Sequence, residues 1–146
     1  VSGRVRRAGG TVVVIQHESL EGPLVHESPG WQLADGLVTA SDDVSMRKSA
    51  TDSFYNTRLH ALLQERGITH LIICGLQSEF CVDTTTRRAL ALGYPVTLVA
   101  DGHTTIDNGV LTAAQISAHH NETLANITSF GPRATAVPAA SVRCEA

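Results

Sequence analysis

Apolar and polar positions along this chain fall into two alternating patterns, short β-branched runs and helical stripes. Thr11-Val12-Val13-Val14-Ile15-Gln16, after the Gly9-Gly10 break, predicts a strand buried on both faces. Glu21 to Gly36 holds glycines and prolines without either period and predicts an excursion loop. The Ser41-Asp42-Asp43 turn leads into a short strand from Val44 to Arg47. Phe54, Leu59, Leu62 and Leu63 share a helical face, which predicts a helix over Thr51 to Arg66 stopped by Gly67. His70 to Gly75 predicts a second buried strand, Val82 to Leu92 a helix ended by Gly93, and Pro95 to Ala100 a third strand. The Asp107-Asn108 pair is a capping signal for a helix from about Gly109 to Ile127, and Ala134 to Ala139 is a candidate last strand before a loose tail.

Strand and helix alternating at this spacing predict an α/β fold, a mostly parallel sheet with helices on both faces. In such sheets chemistry gathers beyond the carboxyl ends of the strands. His17 with Glu18, the segment Leu76 to Cys81, and Asp101 with His103 all fall there. Val1 to Gly10 has the character of the second half of a helix entering a strand, so a segment upstream of it is expected.

Composition narrows the function classes. With 146 residues, 42% apolar and 17% charged, the chain has the make-up of one globular domain spanning 1–146. A net charge of -3 gives no footprint for nucleic acid. No apolar run approaches the roughly 18 residues of a membrane span. Three cysteines without framework spacing fit a reducing compartment, and a cytoplasmic location is expected.

The run Ile72-Ile73-Cys74-Gly75-Leu76-Gln77-Ser78-Glu79-Phe80-Cys81-Val82-Asp83-Thr84-Thr85 carries the chemistry. A strand ends at Gly75, a short link follows, and Cys81 falls at the first turn of the next helix. A thiol there feels the positive end of the helix dipole and free backbone N–H groups, which favour the thiolate. The same amides can hold an oxyanion when the thiolate attacks a carbonyl. The bland alternative is a buried, inert cysteine.

Gly75 to Thr85, followed by Ala89, Gly93-Tyr94 and Val99-Ala100-Asp101, closely resembles the signature of the isochorismatase-like hydrolases. The likeness extends upstream to Lys48, Ser53-Phe54, Thr57 and Leu59, and downstream to Asp101-Gly102-His103-Thr104-Thr105 and the Ile116 to Leu124 segment. It covers roughly Gly10 to Val137. The resemblance implies a three-layer Rossmann-like sandwich and a triad of aspartate, lysine and cysteine, with Cys81 as nucleophile and Lys48 beside it. A nearby ammonium lowers a thiol's pKa and steadies a developing oxyanion. It also implies a cis peptide at Leu76–Gln77 and an oxyanion hole from the backbone N–H groups of Gln77 and Cys81. The family's aspartate lies in a strand upstream of anything matching Gly9-Gly10, so no residue here inherits it by position. That strand is central in the family sheet, between those read here as Thr11–Gln16 and His70–Gly75, and the domain is expected to be incomplete at its N-terminal side. Glu18 is a weak substitute, and Arg47 is a weaker candidate than Lys48 because alternate strand residues face opposite ways.

Phe54 matches a family aromatic near the substrate, and Trp31, in the irregular loop, could close over it; His17 could line the pocket. Simple packing explains each as well. No histidine pair has a spacing that demands a metal, since His119 and His120 point about 100° apart on a helix. No metal and no cofactor are expected. Cys74 is expected to be an inert core thiol and Cys144 an exposed, incidental one. The reading is a cysteine hydrolase acting on a small amide, ureide or isochorismate-like molecule as a homodimer or homotetramer. The rival is an inactive or truncated relative kept for assembly or ligand binding.

Overall fold

The structure is a computed structural model that describes residues 1–144. Its elements run α1 (Ser2–Arg7), β1 (Val13–His17), β2 (Val44–Lys48), α2 (Leu59–Glu65), β3 (Leu71–Leu76), a π-helical turn (Ser78–Val82), α3 (Asp83–Ala91), β4 (Val96–Thr104), α4 (Ala113–Ala125), β5 (Ala134–Val137) and a final 3₁₀ turn (Ala139–Ser141). Every strand pair is parallel, and the architecture is a Rossmann-like α/β sandwich. Among the described residues no helix is long and apolar enough to cross a membrane.

The strands form two groups. β1 pairs with β2 alone, and β3, β4 and β5 form a second sheet in that order. The split explains a departure from the sequence pattern. β1 and β3, expected to be fully buried, are half-buried or exposed along their lengths, and among the described residues no ladder joins them. The buried strand is β4, where Val96, Leu98 and Val99 are almost completely enclosed. Leu59 and Leu63 of α2 and Ala89 and Leu90 of α3 pack with Val96 and Ala134, and Val13, Ile15 and Met46 lean on the same cluster. That shared apolar layer is what joins the two sheets. Cys74, expected in the core, is exposed, while Cys144, expected on the surface, is partly covered.

Two helices are shorter than their apolar stripes. Thr51 to Arg58 does not extend α2. Asp52 and Thr57 side chains accept from the backbone N–H groups of Phe54 and Leu59, Thr57 donates to Ser53 O, and Asn56 takes φ 51°. Such local bonds compete with helical ones. The last helix starts at Ala113, because Thr112 and Gln115 form a reciprocal capping box. Asp107, expected to cap it, accepts from Ala113 N, the first amide of the helix, and Asn108 closes its own turn onto Val110 and Leu111.

At the other end of the chain, Arg6 makes a two-pronged contact with Asp43 at 2.6 and 2.8 Å, tying α1 to the turn before β2. Arg4 donates to Ala139 O, tying α1 to the last turn.

Candidate active site

Lys48 ends β2, and its ammonium is buried, with the residue 6% exposed. An ammonium has three protons to place. Here it has three partners: Ala50 O at 2.6 Å, His17 Nδ1 at 3.0 Å and Cys81 Sγ at 3.0 Å. Lys48 forms no salt bridge among the described residues, so no carboxylate compensates its charge. A buried cation without a carboxylate is costly, and a thiolate at Cys81 is the anion that would balance it.

His17 ends β1 opposite Lys48 in the parallel register. Burial, and then the positive charge of Lys48, push its pKa below the ordinary 6.5. An ammonium can only donate, so Nδ1 accepts from Lys48 and the ring proton sits on Nε2.

Cys81 lies inside the π-helical turn that precedes α3, one element earlier than the expected first turn of an α-helix. Gln77 O accepts from the amides of Phe80 and Val82, both at 3.2 Å, and the Cys81 amide between them is not among its donors. The Leu76–Gln77 peptide is cis. The segment carrying Lys48 is fastened to α3 by side chains: Ser53 N donates to Thr85 Oγ1, which lies 2.9 Å from Ser53 Oγ and 3.3 Å from Thr51 O.

The remaining sequence candidates separate. Glu18 is taken by Arg47 in a two-pronged pair at 2.7 and 3.1 Å, which holds its carboxyl below the ordinary range and leaves Lys48 alone. A cavity of about 620 Å³ opens beside the site, lined by His17, Glu18, Ser19, Val25, His26 and Arg47 among others. Trp31 stands edge-on at 4.7 Å against His26, one of the residues lining this cavity. Phe54 is not brought to the site. It is 9% exposed and stacks on Tyr94 at 6.4 Å, so its ring belongs to the core. Asp83 pairs with Arg87 in the first turn of α3, and Asp101 accepts from Ala139 N. His119 is exposed and His120 packs inward onto Ile116 O; among the described residues no group of three metal-type ligands occurs. Cys74 is exposed as a residue, while desolvation around its sulfur pushes the thiol above its ordinary range. Sequence reasoning missed Ser78, Asn121 and Ser117, which form a buried chain with His103 behind the turn. Ser78 stands just before the motif cysteine, whereas Ser117 and Asn121 lie far along the chain on α4.

A parallel α/β sandwich with a thiol and an ammonium in contact beyond its strand ends defines the class. Known proteins refine it. The isochorismatase domain family model matches residues 3–132, and the chain belongs to that family. A streptothricin hydrolase of Streptomyces noursei is 36% identical over 143 residues, 92% of this chain and 52% of its own. A probable inactive nicotinamidase of Arabidopsis thaliana is 33% identical over 112 residues, 75% of this chain and 53% of its own. The chain thus spans about half the length of these curated relatives. A crystal structure of an isochorismatase family protein superposes with a TM-score of 0.83 at 39% identity, covering 93% of this chain and 78% of that one.

Proposed function

We propose that this chain carries the nucleophile of a cysteine hydrolase acting on a small amide, ureide or isochorismate-like substrate. The observation that carries the proposal is the 3.0 Å contact between a buried, carboxylate-free Lys48 ammonium and Cys81 Sγ. Family membership and the hydrolase relative support it. On an amide, the Cys81 thiolate adds to the carbonyl carbon and forms the C–S bond. The oxyanion is held by the backbone N–H groups of Cys81 and Gln77, with Lys48 adding positive charge. Collapse breaks the C–N bond as the leaving amine takes up a proton. Water then attacks the thioester, releasing the acid and restoring the thiolate. Glu18 is paired with Arg47 and is therefore not assigned the proton shuttle, a role the family resemblance gives to an aspartate.

Oligomerisation as a dimer or tetramer in the cytoplasm belongs to the same proposal. The test is a screen of small amides and ureides for product release, with wild-type protein beside Cys81→Ala. Turnover is expected only with Cys81 present, and full activity in Cys81→Ala would overturn the mechanism.

A further inference from the structure

Cys81 meets Lys48 on one side of the π-helical turn. The other side is closed by a polar chain that hydrolysis as described above does not use. Ser78 opens the turn and is 0% exposed; its Oγ lies 2.7 Å from His103 Nδ1 and 2.9 Å from Ser117 Oγ. His103, 6% exposed, places Nε2 at 2.9 Å from Asn121 Oδ1, and Asn121 Nδ2 donates to Ala100 O at 3.1 Å.

The direction of this chain is fixed at the Asn121 end. Its amide nitrogen is committed to a carbonyl, so Oδ1 must accept and His103 Nε2 must donate. In a neutral imidazole Nδ1 then accepts from the Ser78 hydroxyl, and Ser78 accepts from Ser117. Every member of the chain then has a partner, the condition under which a buried polar network specifies a single geometry.

The backbone goes out of its way to build it. In the β3–β4 ladder Ile73 faces Leu98, yet Gly75 faces His103, so two steps along β3 match five along β4. The three extra residues form a bulge that carries His103 forward to the start of the turn. Gly102 sits inside that bulge, where an added Cβ would lie 2.6 Å from Val99 Cγ1, so only glycine fits.

We propose that Ser78, His103 and Asn121 are positioning residues that hold the nucleophile turn in its π-helical register. In that register the Cys81 amide stays off Gln77 O. In an α-helical register the same amide would bond to Gln77 O, four residues back, and be lost as an oxyanion donor. The tie from Ser78 to His103 keeps the wider turn and, with it, the direction of Sγ towards Lys48. This role rests on the hydrolase reading, and its test is therefore made on the thiol rather than on turnover.

The probe is iodoacetamide, with alkylation of Cys81 followed by peptide mass from about pH 6 to 9 and Cys144 as internal reference. Ser78→Ala and His103→Leu are expected to slow alkylation of Cys81 at neutral pH about tenfold and to move its midpoint upward. His103→Asn, whose Oδ1 can accept from Ser78 in place of Nδ1, is expected to keep most of the wild-type rate. A folded Ser78→Ala protein with the wild-type rate and midpoint would overturn the proposal, whether or not His103→Leu folds. A wild-type Cys81 no faster than Cys144 would overturn the nucleophile reading itself, and this role with it.

Discussion

Lys48 Nζ and Cys81 Sγ stand 3.0 Å apart although Lys48 ends a strand of one sheet and Cys81 follows a strand of the other. Neither side chain finds its partner through its own ladder. The contact depends on the apolar layer between the sheets and on the Ser53–Thr85 fastening that carries the Lys48 segment to α3.

Replacing the ammonium by an apolar chain of similar length separates its two effects. Lys48→Met is expected to lower turnover on the order of 10²-fold or more, because both thiolate and oxyanion lose their cation. Stability is expected to hold or rise, since a buried charge with no carboxylate partner is removed. Parallel measurements of rate and chemical denaturation check this; a strongly destabilised variant would contradict the assignment of Lys48 to chemistry.

The folded pKa of His17 lies below 6.5, so the unfolded chain takes up a proton that the folded chain refuses. Its contribution to stability is complete above about pH 6.5 and is lost as pH falls through the lowered folded value. Glu18 and Asp43 are also lowered, by Arg47 and Arg6, but from ordinary values of 4.5 and 3.8, so their losses come at more acid pH. In His17→Asn the loss just below pH 6.5 should disappear while the more acid one remains. Denaturation midpoints at closely spaced pH values will show it, and an unchanged slope near pH 6 would remove His17 from this account.

Phe54→Leu is expected to cost about 1 kcal/mol through lost packing on Tyr94. Cys81 alkylation should stay at the wild-type rate, because the ring faces the core. A changed alkylation rate at unchanged stability would return Phe54 to the substrate pocket.

Much of this was legible in the sequence because it rests on local signals. The order of strands and helices follows from β-branched runs and apolar stripes, and the Gly75 to Thr85 run marks the nucleophile. The failures have equally specific causes. Asp52, Ser53 and Thr57 turn the expected helix start into side-chain-capped turns, a competition that apolar periodicity does not register. The burial of β1 and β3 depends on which strands become neighbours, and residue type alone does not fix that. The β4 bulge shows in the sequence only as Gly102, so the meeting of His103 with Ser78 had no signal of its own. For Phe54 a pocket role from the family resemblance stood beside simple core packing, and its stacking on Tyr94 is set by tertiary contacts.

The three partners of the Lys48 ammonium have a consequence for how the molecule can fail. Ala50 O and His17 lie with Lys48 on one side, and only Cys81 lies across the divide. If the sheets drift apart, Lys48 keeps two bonds and the cysteine loses its only ammonium. The thiol would fall silent while most of the secondary structure remained intact. Cys81 reactivity is thus a gauge of how well the two halves are clasped, and it should fade at milder denaturant than the helical signal does.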